Sequence, residues 1–159
     1  MADKKDLMQA KEAFDTLCEM LDGRGWKYQK FEDEFTIECS AQGDDLPMDI
    51  HFEVDAERKL FVLISKLPFS VPEDKRVEMS LAVSAVNYTM VDGSFDYNFM
   101  SGNVVFRLTT SYRESMLSTT ALNYMLMVSC NTIDEYNDSL LMLIKGKMSL
   151  EDIFKMANE

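Results

Sequence analysis

Apolar residues recur along this chain with changing periods, and each period predicts an element. Leu7, Ala10, Phe14, Leu17 and Leu21 return at steps of three and four, one stripe of a helix, with Lys11, Glu12, Asp15 and Glu19 filling much of the other side. Gly23, just past Leu21, suits the left-handed residue that ends such a helix. Phe35, Ile37 and Cys39 then alternate with Thr36, Glu38 and Ser40, a half-buried strand, and Trp26 to Phe31 can pair with it across the acidic turn Glu32-Asp33-Glu34. After the break at Asp44, Asp45 and Pro47, a cleaner strand puts Met48, Ile50, Phe52 and Val54 on one face and Asp49, His51, Glu53 and Asp55 on the other. The next strand, Leu60 to Ser65, is apolar on both faces. Leu60, Val62 and Ile64 are read as continuing the core, which leaves Phe61 and Leu63 pointing outward.

Leu67-Pro68 closes that strand, and a helix is predicted from near Ser70-Val71-Pro72-Glu73 to about Tyr88, with Val77, Leu81, Ala85 and Tyr88 inward. Ser70 with Glu73 fits a capping box, while Pro72 fits the first helical position. Asp92-Gly93 opens a hairpin. A tight turn at Ser101-Gly102 sets Phe99 opposite Val104, Tyr97 opposite Phe106 and Phe95 opposite Leu108, with Asp96 opposite Arg107 on the other face. The last third is helical. Ser118 is placed as N-cap, Gly146 as the residue past the end, and Ser149 with Asp152 caps a short final helix. The long helix carries Leu122, Met125, Leu126, Ser129, Ile133, Tyr136, Leu140 and Ile144 on one stripe, and is also apolar off it at Tyr124, Met127 and Val128. The order α-ββββ-α-ββ-α-α predicts an α+β domain, an antiparallel sheet flanked by helices.

Composition adds limits to this outline. A chain of 159 residues makes one domain, and Asp and Glu outnumber Lys and Arg by 28 to 16, for a net charge of −12. Like charge opposes binding to nucleic acid or to an anionic membrane, so neither is expected as a partner. No apolar run approaches the ~20 residues that span a bilayer, and the start Met1-Ala2-Asp3-Lys4-Lys5 lacks the apolar stretch of a signal peptide. Cys18, Cys39 and Cys130 are odd in number and far apart, which predicts reduced thiols in a cytoplasmic protein.

Little chemistry is written in the motifs. Asp49, His51 and Glu53 share a strand face at steps of two, a spacing open to a metal, yet an exposed polar face explains them as well. His51 is the single histidine, which removes most nucleophile schemes. No metal and no cofactor are expected. The excess of large apolar residues at Phe61, Leu63, Tyr124, Met127 and Val128 instead predicts an interaction surface.

From Leu67 onward the chain carries recognisable motifs. Leu67-Pro68-Phe69-Ser70-Val71-Pro72-Glu73-Asp74-Lys75-Arg76 leads into a helix ending near Asn87. Gly93-Ser94-Phe95, Gly102-Asn103-Val104-Val105-Phe106-Arg107, Leu117-Ser118, Asp134 to Tyr136 and Gly146 with Ser149-Leu150-Glu151-Asp152 follow in order. Over about residues 58 to 156 this resembles the YbjN-like family, described as bacterial sensory-transduction regulators with a fold similar to type III secretion chaperones. The resemblance implies a small acidic protein, usually dimeric, that holds client segments on apolar patches. It supplies no catalytic motif. The expected function is a non-enzymatic protein-binding module, chaperone-like or regulatory, forming a homodimer. The alternative is a small-ligand sensor or enzyme with a deep pocket reached by Tyr97, Arg107 or His51.

Overall fold

The computed structural model describes residues 2–158; Met1 and Glu159, the two ends of the expected domain, lie outside it. Helix α1 (Lys4–Gly23) starts on a reciprocal box, in which the Asp6 N–H donates to the Asp3 carboxylate at 2.8 Å and the Asp3 N–H donates to Asp6 at 3.0 Å. It ends two residues later than expected. Gly25, not Gly23, takes the left-handed conformation (φ +69°), with the Gly25 N–H on the Asp22 carbonyl and the Trp26 N–H on the Leu21 carbonyl. That ending carries Trp26 back onto the core, where it is partly buried.

Four strands follow: β1 (Tyr28–Phe31), β2 (Thr36–Gln42), β3 (Pro47–Asp55) and β4 (Leu60–Ser70). Helix α2 (Arg76–Thr89), strands β5 (Ser94–Asn98) and β6 (Asn103–Ser111), and helices α3 (Thr119–Ile144) and α4 (Leu150–Ala157) complete the chain. The strands form one antiparallel sheet in the order β1-β2-β3-β4-β6-β5. Helix α1 packs on β3 and α3 lies across β4 and β6, while α2 meets β5 and α4 lies against α2 and α3. The architecture is α+β, as the element order predicts.

Two local devices differ from the sequence reading. Strand β4 runs through Pro68 to Ser70, with its register to β6 irregular between Lys66 and Ser70, the kind of bulge where a strand tolerates proline. Ser70 makes no capping box; its hydroxyl donates to the Ser101 carbonyl at 3.1 Å, and a tight turn at Glu73–Lys75 leads into α2. The β5–β6 loop has four residues, because the Asn98 carboxamide oxygen accepts from the N–H groups of Met100 and Ser101 at 3.0 Å each. Phe95 therefore pairs with Phe106 and Tyr97 with Val104, two positions away from the expected register, and Phe99 leaves the sheet. A slip of two keeps every side chain on its expected face. Arg107 Nη2 still reaches Asp96 Oδ2 at 2.8 Å, diagonally across the strands.

Candidate functional site

The sheet has a helix-covered face and an open one, and the β3–β4 turn decides which residues go where. Four residues, Ala56 to Lys59, join the strands, so Asp55 pairs with Leu60. An even-length turn sets even positions of β3 against odd positions of β4: Val54 meets Phe61, Phe52 meets Leu63 and Ile50 meets Ser65. Asp55 fixes this turn by accepting the Arg58 N–H at 2.8 Å, and Lys59 closes it at φ +60°. Its Nζ is held by Asp6 at 2.6 Å and by Gln9 at 2.8 Å, which ties the turn to α1.

The face assignment for β4 read from the sequence is therefore reversed. Phe61 and Leu63 are fully buried under the helices, and the outward rail is Leu60, Val62 and Ile64, half-buried on the open face. Both sets are large and apolar, so alternation alone does not choose between them; the turn length does. The signal available in the sequence is at the end of the strand, where the charged Lys66 continues the outward set and is exposed while Leu67 continues the buried one. The other expected surface residues do not join one patch. Tyr124 is exposed, and its hydroxyl donates to the Asp92 carboxylate beyond the end of α2. Met127 and Val128 are half-buried, and Met127 Sδ accepts from Arg24 Nη2 at 3.2 Å.

Around the aliphatic rail the open face is polar. Glu38, His51, Ile64 and Arg107 stand in one cross-strand row, with Thr36, Glu53, Val62 and Thr109 in the next. Beside them a broad depression of about 700 Å³ is lined by Lys27, Gln29, Glu38, Asp49, His51 and Lys66. His51 Nδ1 lies 3.9 Å from Glu38 Oε1. Arg107 stands two strands from His51, about 10 Å at the usual strand spacing, with Ile64 between them. Tyr97 is on the opposite face, its hydroxyl buried without a partner, and burial pushes its pKa up. His51, Arg107 and Tyr97 therefore share no pocket, deep or shallow. No group of three or more His, Cys, Asp or Glu side chains among the described residues is placed to hold a metal ion. Asp49 and Glu53 flank His51 along one strand, at about 7 Å per step of two residues. The three thiols are free and half-buried, and burial pushes Cys39 up to about 12, with Cys18 and Cys130 also raised by burial. Thiols so raised stay protonated near neutral pH, the unreactive form.

A second uncovered surface lies on α2, where the sequence reading is again reversed. Met79, Ala82, Val83 and Val86 face the core, while Val77, Leu81 and Tyr88, expected inward, are exposed. The helix is apolar around most of its circumference, so two stripes compete, and the smaller residues fit under β5. Asn87, near which the sequence motifs end this helix, confirms the orientation. Its carboxamide donates to the Phe95 carbonyl and accepts the Phe95 N–H, both at 2.8 Å, closing the outer edge of β5 as a strand partner would.

Comparisons with known proteins agree with this geometry. The solved structure of YbjN from E. coli superposes with a TM-score of 0.58 at 13% identity, covering 81% of this chain and 94% of that one. The ExsC–ExsE complex gives a TM-score of 0.58 at 14% identity, covering 80% and 92%. The HopA1–SchA chaperone–effector complex gives 0.48 at 16% identity, covering 92% and 97%. At these identities the likeness to YbjN and to the ExsC–ExsE complex is one of fold. No curated protein sequence matches the chain significantly. The profile of the family described as "Putative bacterial sensory transduction regulator" matches residues 13–142, so it takes in the three N-terminal strands β1 to β3 that the sequence motifs alone left outside. The chain belongs to the YbjN family.

Proposed function

We propose that this protein is a non-enzymatic protein-binding module that works as a homodimer and holds a segment of a partner protein on the open face of its sheet. The observation that carries this reading is the rail Leu60, Val62 and Ile64, large aliphatic side chains in the middle of a sheet face that no helix covers. Monomeric proteins seldom leave such a patch in water. The ExsC–ExsE structure is itself a complex of two proteins on a similar fold, and the family description is that of a regulator, which supports a partner-binding role. The net charge of −12 favours a protein partner over nucleic acid or an anionic membrane. The scattered placement of His51, Arg107 and Tyr97, with three thiols held protonated, favours binding over catalysis. Free thiols suit a reducing compartment such as the cytoplasm.

The test is affinity capture from the native host with the parent chain and with Val62→Asp. A protein retained by the parent and lost by a folded Val62→Asp supports the reading. Equal recovery by both chains, or no partner with either, overturns it.

A further inference from the structure

The aliphatic rail on the open face runs between two unlike walls. On the β6 side, Ser111, Thr109 and Arg107 stand beside Leu60, Val62 and Ile64, and Arg107 already meets Asp96 at 2.8 Å. That wall leaves no charge to be answered. On the β3 side, Asp55, Glu53 and His51 stand beside the same three residues, with Glu38 one strand further out, next to His51. Asp55 has Arg58 Nε at 3.5 Å. Glu53 is half-buried beside Val62, at the middle of the rail, and makes no hydrogen bond or ion pair among the described residues. Glu38 has His51 Nδ1 at 3.9 Å, a group that is charged only when protonated.

We infer that the partner segment is an amphipathic helix with lysine or arginine along one flank, seated on the rail with its cations over Glu53 and Glu38. This inference rests on the open-face reading above and names the chemistry of the partner. Any segment that covers Val62 also takes water away from Glu53, and a carboxylate stripped of water without a counter-charge is strongly unfavourable. The partner must therefore bring the cation. The place of Glu53 then selects the partner's conformation. It stands to one side of the rail, about 4.8 Å away at the usual strand spacing, and not beyond its end. An extended segment sends alternate side chains to opposite faces, so the neighbours of those on the rail point away from the sheet. A helix carries side chains on both flanks of its apolar stripe, from where a lysine reaches the next strand. The lengths agree as well, because Leu60 to Ile64 spans about 13 Å and two helical turns span about 11 Å. At long range, a chain of charge −12 attracts a basic segment and repels an acidic one.

The experiment uses three labelled helical peptides that share one leucine stripe and carry lysine, glutamine or glutamate along one flank, with binding read by fluorescence anisotropy. The parent is expected to bind the lysine peptide about 10-fold more tightly than the glutamine peptide, and the glutamate peptide more weakly still. Glu53→Gln is expected to lose most of that preference, whereas Glu12→Gln, on the exposed side of α1, keeps it. Val62→Asn, shown to be folded by circular dichroism, is expected to weaken binding of the lysine peptide by about 10-fold. A lysine preference that Glu53→Gln and Glu12→Gln keep alike belongs to the net charge of the chain and overturns the inference. Binding that falls with Val62→Asn but is equal for the three flanks overturns it too, and leaves the open-face reading standing. Failure of all three peptides to bind also overturns it, and the Val62→Asp capture then judges the open-face reading by itself. Should Val62→Asn fail to fold, the contrast between Glu53→Gln and Glu12→Gln decides.

Discussion

The two hairpins of the sheet make an instructive contrast. In β5–β6 the sequence alternates cleanly, with Phe95, Tyr97, Val104, Phe106 and Leu108 on one side and Asp96 and Arg107 on the other. A loop two residues longer than expected shifts the register there without turning a single side chain over. In β3–β4 the second strand is apolar on both sides, and taking Leu60, Val62 and Ile64 as the core set sends Phe61 and Leu63 to the wrong face. A strand with one apolar face carries its orientation in its own sequence. A strand with two takes its orientation from the turn.

Truncations on the two sides of β4 break that comparison most sharply. Phe61→Ala and Leu63→Ala, from the buried side, are expected to cost about 2–5 kcal/mol each in urea unfolding. Val62→Ala, on the open face between them, is expected to cost about 1 kcal/mol or less, because the site is not enclosed. Equal losses on both sides would mean that the open face is packed and has no room for a partner. Next in size is Asn87→Ala, which strips the Phe95 N–H and carbonyl of their partners at the edge of β5. It should cost about 1–3 kcal/mol and speed hydrogen exchange at the Phe95 amide. Arg107→Ala removes the pair with Asp96, both side chains being well exposed, and should change stability by less than about 1 kcal/mol.

The smallest effect sharpens the role of the β3–β4 turn. Lys59 holds the Asp6 carboxylate below its ordinary value, chiefly through their hydrogen bond. A depressed carboxylate pKa stabilises the fold above its unfolded-state value near 4, and the contribution fades as pH falls through the lower folded value. The difference in melting temperature between parent and Asp6→Asn should therefore be present at pH 7 and shrink below about pH 4. A difference that does not change with pH would mean that the Lys59–Asp6 contact does not anchor the turn.

Much of the fold is legible in the sequence because caps, turns and one-faced strands each carry local instructions. Ser118 and the Ser149–Asp152 box cap α3 and α4 where expected, and Gly146 ends α3 at φ +67°. The candidate surfaces are less legible, for one reason at two places. Strand β4 and helix α2 are apolar on more than one side, so periodicity admits two orientations. What selects between them is not local to either element: the length of the Ala56–Lys59 turn for β4, and the fit of Met79, Ala82, Val83 and Val86 beneath the sheet edge for α2. The excess of apolar surface was readable; its address was not.

The claim that the outer side of β4 meets a partner protein can be tested most directly with a photo-reactive side chain in place of Val62, irradiated in cells of the native host. The account predicts a covalent adduct with a different protein, absent when the same group replaces Glu12 on the exposed side of α1. Adducts confined to a second copy of this chain, or none above the Glu12 control, would contradict it.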